Sequence, residues 1–135
     1  FASGNVSAMN DQIQNAGGLM GLLGDSSHVY DAYSTVDIKF ANGGRVGSAI
    51  GKTKYGKLTN VLAKSVNNLT DTEHCLVGET YSPRLQGDIL CWSSSPVQYY
   101  RQRNFSSLDF YNTWLINEGL NLPMLKGFDE ILQLQ

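Results

Sequence analysis

Between Tyr30 and Phe40 the chain alternates, with Tyr30, Ala32, Val36, Ile38 and Phe40 on one side and Asp31, Tyr33, Thr35, Asp37 and Lys39 on the other. Successive side chains of a strand point to opposite faces, so this two-residue period predicts a half-buried β-strand. Asn42-Gly43-Gly44 supplies residues that tolerate positive φ, and Val46, Ser48 and Ile50 resume the alternation. The stretch 30–50 therefore reads as an antiparallel β-hairpin.

On either side the apolar spacing lengthens to three and four. Met9, Ile13, Ala16, Met20 and Leu23 fall on one stripe of a helix beginning near Ser7. Gly17 and Gly18 interrupt it, at about 1 kcal/mol each relative to Ala. Leu58, Val61, Leu62, Ser65 and Leu69 mark a second helix that ends near Asn67 or Asn68. Ser107 caps a third, carrying Leu108, Tyr111, Trp114 and Leu115, and Pro123 opens a fourth with Leu125, Phe128, Ile131 and Leu132. Short strands are expected at 75–77, 88–92 and 97–101. No internal repeat or linker stands out. Hairpin and helices without regular strand–helix alternation predict a single α+β domain over residues 1–135, an antiparallel sheet packed with three to four amphipathic helices.

Composition fits this picture, since 41% of the 135 residues are hydrophobic, enough to build a core. Charge changes it. Asp, Glu, Lys and Arg make up 16% of the chain, where about a quarter is usual, and the net charge is −2. Such a surface gives little repulsion between copies and little attraction for a phosphate backbone, so self-association is favoured and nucleic-acid binding is not expected. No run of 18 apolar residues predicts a membrane span. The chain starts at Phe1, which points to proteolytic maturation or trimming. That start resembles a mature type IV pilin, although the family continues with an acidic fifth residue and a long apolar helix, where this chain has Asn5 and polar residues.

Two segments resemble catalytic or binding motifs and depart from them at named positions. Gly51-Lys52-Thr53 is similar to the end of a phosphate-binding loop, but the glycine required five positions before Gly51 is Val46, so the amides cannot curl round a phosphate as that loop demands. The segment 80–90 resembles the nucleophile box of signal-peptidase-type serine/lysine proteases. It has Thr80-Tyr81 in place of Ser-Met and only Lys126 as a downstream base. Neither activity is expected, and no catalytic residues are assigned.

Cys75 and Cys91 are a candidate disulfide worth roughly 3 kcal/mol in an oxidising compartment; free buried thiols are the alternative. Zinc would need paired ligands, and beside these cysteines only His74 and His28 remain. The acids Asp71, Glu73, Asp129 and Glu130 read as caps and solvated helix charges. Three Asn-X-Ser/Thr triplets occur, at Asn5, Asn68 and Asn104, where the abundance of Asn, Ser and Thr makes one or two expected by chance, and they assign no compartment.

Tyr99, Tyr100, Phe105 and Trp114, interleaved with Arg101 and Arg103, form a candidate contact or ligand surface within or beside the segment 105–134. The sequence thus predicts a non-enzymatic subunit of a larger assembly, of virion, phage-tail or extracellular-filament type, with no cofactor and with itself or other subunits as partners. A secreted carbohydrate-binding module, stacking sugars on Tyr99, Tyr100 and Trp114, is the alternative.

Overall fold

The computed structural model describes residues 1–8, 15–40, 45–66, 75–80, 84–92 and 102–127. Contacts divide the chain into two units, Phe1–Ser94 and Ser95–Gln135.

The first unit is built from coils. Coil one contains β1 (Asn5–Ala8), β2 (Asn15–Gly17), β3 (Met20–Leu23) and β4 (His28–Ser34). Coil two repeats the set with β5 (Asp37–Phe40), β6 (Arg45–Gly47), β7 (Ile50–Thr53) and β8 (Lys57–Lys64). Coil three contributes β9 (Val77–Thr80) and β10 (Arg84–Trp92). Among the described residues every strand pairing in this unit is parallel and joins one coil to the next: β1 with β5, β2 with β6, β3 with β7 and β7 with β9, β4 with β8 and β8 with β10. A parallel pair needs a long crossover, usually a helix. Here the crossover is the rest of the coil, which makes the unit a short parallel β-helix.

Its interior is filled by columns of apolar residues stacked in register. Met20, Ile50 and Val77 form one column, Val29, Leu58 and Leu85 a second, and Ala32, Val61 and Ile89 a third. Ala49, Ile50, Leu58, Val61, Ala63, Leu76 and Val77 have no measurable exposure. At the turn from β2 to β3, and again from β6 to β7, the chain doubles back so tightly that only glycine fits. A Cβ on Gly47 would collide with the carbonyl oxygens of Ile50 and Leu76 and the amide of Gly78. Thr53, fully buried, fixes the following turn by donating its hydroxyl to Leu23 O at 3.0 Å and accepting Gly56 N–H at 3.0 Å. At the N-terminus Phe1 stacks on the buried Tyr33 ring, with centroids 5.3 Å apart, and desolvation pushes the Tyr33 phenol pKa up.

The expected α+β architecture is therefore corrected. Among the described residues there is no helix of seven or more residues, and strands dominate. The 30–50 hairpin is replaced by β4 to β7, each of which pairs in parallel with a strand of another coil. The one strand expected over 30–40 is two, β4 and β5, with Tyr33 buried and Tyr30 exposed, and alternation says nothing about which partner a strand takes. The first helix is replaced in its described part by β1, β2 and β3, and the second by β8.

The helix-like spacing of Leu58, Val61 and Leu62 has a physical cause within β8. Asn60 has φ +53°, a left-handed residue inside the strand, and it shifts the inward phase by one. Leu58 and Val61 then both face the core three residues apart, which imitates a helical period. Asp31 at φ +49° does the same in β4, where Val29 and Ala32 both face inward; in β10 Gly87, at φ +71°, sits where the pairing with β8 shifts register between Gln86 and Ile89. The repeat missed in the sequence is short: Leu19-Met20-Gly21, Ala49-Ile50-Gly51 and Leu76-Val77-Gly78 occupy equivalent places in the three coils.

The second unit has a 3₁₀ turn, Gln102–Phe105, and a two-residue antiparallel ladder of β11 (Trp114–Leu115) with β12 (Met124–Leu125). The expected third and fourth helices are absent from the described part of this unit; the remainder of the fourth, residues 128–135, lies outside the described residues, as does the strand expected at 97–101. Phe105, Leu108, Trp114 and Pro123 are buried. Asp109 organises the loop before β11, accepting the N–H groups of Tyr111 and Asn112 at 3.0 Å and the Asn112 amide at 2.9 Å. The backbone and side-chain bonds from Asn112 hold the Asp109 carboxyl pKa below its ordinary value.

Two measurements follow from this packing. Gly47→Ala should lower the thermal unfolding midpoint by more than Gly21→Ala, because a Cβ at Gly21 comes no nearer than 3.1 Å to another atom; overpacking at Gly47 is expected to cost about 1–3 kcal/mol. Asp109 has its pKa lowered by folding, so its contribution is present above the ordinary carboxylate range and is lost as pH falls through its depressed value. Near-ultraviolet circular dichroism on acidification should show this loss, and Asp109→Asn should flatten the dependence.

Candidate binding face

The heads of β4, β8 and β10 are set level by backbone bonds. Lys57 N–H donates to Ser27 O at 3.0 Å, and Arg84 N–H donates to Gly56 O at 3.2 Å. Register then aligns His28 with Lys57 and Lys57 with Arg84, and two residues on aligns Tyr30, Thr59 and Gln86. Strand alternation turns Val29 and Leu58 into the core and these six side chains outward. His28, Arg84 and Gln86 are exposed, Tyr30 is 65% exposed, and Lys57 and Thr59 are half-buried. His28 Nε2 lies 2.8 Å from Thr59 Oγ1, which ties the two columns together, and the rings of His28 and Tyr30 sit 5.4 Å apart.

A polar ladder borders this face where the three strands bend. Asn60 donates its amide to Asp31 Oδ1 at 2.7 Å and accepts Asp88 N–H at 3.0 Å. Asn, Asp and Gly are the residues that tolerate the left-handed conformation there, and the Asn side chain links all three coils at once.

The charge pattern differs elsewhere on the sheets. Arg45 and Lys52 both pair with Glu79, the latter at 3.2 Å, and Lys64 pairs with Asp37 at 2.5 Å. Lys57 and Arg84 have no such carboxylate among the described residues. Lys54, in the turn before β8, lies 5.0 Å from the centre of the Tyr55 ring, which is 43% exposed. Among the described residues no group of three His, Cys, Asp or Glu side chains is placed to hold a metal ion.

Cys75 and Cys91 are joined in a disulfide, with Cα atoms 6.1 Å apart. The bridge lies inside coil three. The Ser48 hydroxyl is 3.4 Å from Cys75 Sγ and 3.8 Å from Cys91 Sγ, and it accepts Val66 N–H at 3.1 Å. In coil one the equivalent interior position holds Gly18, where a Cβ would collide with Ser34 Oγ. The residues facing each other across the coil thus grow from Gly18 and Ser34, through Ser48 and Ala63, to the bonded cysteines.

Of the aromatic and basic residues singled out in the sequence, Phe105 and Trp114 are buried in the second unit, with 0% and 5% exposure, and Arg103 is exposed. Tyr99, Tyr100 and Arg101 lie outside the described residues. Arg103, Asp109, Tyr111 and Glu118 line an open depression of about 570 Å³. Among the described residues of the second unit, the large hydrophobic side chains of Tyr111 and Leu120 stand 88% and 80% exposed. Sequence reasoning missed the outer face of β4, β8 and β10, whose residues lie 27 to 29 positions apart; the recurrence of His28, Lys57 and Arg84 just after turn segments was the available signal. No protein-family model, curated protein or solved structure matches the chain.

Asn60 separates backbone from side-chain effects at this border. Asn60→Gly keeps the left-handed backbone but loses the hydrogen bonds, and urea unfolding should register a loss of about 1 kcal/mol. Asn60→Val loses both and is expected to cost roughly 2–3 kcal/mol.

Proposed function

We propose that the chain is a non-enzymatic structural subunit that assembles with copies of itself or with other subunits of a larger extracytoplasmic complex, of virion, phage-tail or filament type. The observation that carries this reading is the end of the coil stack. Among the described residues β8 is the one strand paired with β10, so β10 ends the ladder, and the last strand of a ladder is a template for a further strand. Leu90 stands 41% exposed on this strand. At the other end of the stack, Ala2 covers only the last part of β4, by accepting Thr35 N–H at 2.9 Å and donating to Tyr33 O at 3.1 Å.

Two further features support the proposal. Low charge density weakens repulsion between copies. The disulfide fits an oxidising compartment such as a virion surface or the extracellular space.

Light scattering coupled to gel filtration tests this. Association that rises with concentration is expected, and Leu90→Lys should weaken it by placing a charge at the edge. A strictly monomeric chain at high concentration, with no copurifying subunit, would sink the proposal.

A further inference from the structure

The outer face of β4, β8 and β10 has no role in edge-to-edge assembly, and its chemistry points elsewhere. Register places His28, Lys57 and Arg84 in one column along the coil axis, one residue per strand, so neighbouring groups are about 4.8 Å apart at their backbones. The second column, Tyr30, Thr59 and Gln86, offers a flat exposed ring, a hydroxyl and an amide at the same spacing.

We propose that this face binds a linear anionic polysaccharide lying along the coil axis. Successive sugars of an extended glycan repeat at nearly the spacing of adjacent strands, so one chain can present an acidic group to Lys57 and another to Arg84. Tyr30 stacks against a sugar face, and Thr59 and Gln86 bond ring hydroxyls. Lys57 and Arg84 lack carboxylate partners among the described residues, unlike Arg45, Lys52 and Lys64, so an incoming carboxylate or sulfate meets uncompensated cations. The acids nearest along the strands define the limits of the track. Asp31 and Asp88 stand at the bend, with Asp31 engaged by Asn60 at 2.7 Å, and Asp25 lies in the turn before His28. A polyanion is held to the column between them.

Binding of immobilised polygalacturonate and heparin to the intact oxidised chain, read by biolayer interferometry at low and moderate salt, tests the inference. Binding to at least one acidic glycan is expected, carboxylated and sulfated chains being distinguished by which of the two binds, with none to neutral dextran. Lys57→Gln combined with Arg84→Gln should weaken binding about tenfold, Tyr30→Ala should also weaken it, and Lys39→Gln should leave it unchanged. Circular dichroism melting establishes that each variant is folded. No binding to either glycan, equal binding to polyglutamate or single-stranded DNA, or indifference to the Lys57, Arg84 and Tyr30 changes would each overturn the proposal.

Discussion

The parallel pairing of β8 with β4 on one side and β10 on the other is the contact on which the first unit depends. A coil standing by itself would expose one side of every strand to water and leave its apolar residues uncovered. Stacked, the backbone groups of β8 are satisfied from both sides, and Leu58, Val61 and Ala63 lie beneath neighbours of similar shape. Stability in such an array is close to a sum of nearest-neighbour terms. The middle coil is therefore the place where a single change is felt twice, once against each adjoining coil.

The first unit's strands were partly legible and their arrangement was not. Alternation over 30–40 marks strand but reads as one what are two strands, β4 and β5, and a parallel partner about thirty residues away leaves no trace in a window of ten. The left-handed residues at Asp31 and Asn60 obscure the pattern most, since each resets the inward phase within a strand, while Gly87 marks a register shift in β10. The cysteine pair was legible because loop length and residue type carry the argument without the fold. The cationic column was hidden because its members become neighbours only once the coils are stacked. Trp114 and Phe105 illustrate the opposite difficulty: a large ring near arginines looks the same in sequence whether it faces solvent or closes a small core.

Average charge conceals local chemistry in this molecule. With a net charge of −2 the chain as a whole has little attraction for polyanions, yet the sheets sort their ions by face. Glu79 draws Arg45 and Lys52 together and Asp37 takes Lys64, while β8 and β10 keep Lys57 and Arg84 apart from carboxylates among the described residues. The asymmetry arises from register alone, because moving any one strand by a single residue would send these side chains inward and break the column.

The Cys75–Cys91 bridge has a consequence for the order in which the chain is built. Among the described residues the coil-to-coil strand pairings join residues 27 to 32 positions apart, and closing such separations is slow relative to local structure. The sulfur link spans only 16 positions and lies wholly within coil three. It closes that coil without waiting for a neighbour, holding the start of β9 near the end of β10. Oxidation thus fixes the two ends of coil three near each other, which lowers the entropy cost of the later pairings with β7 and β8.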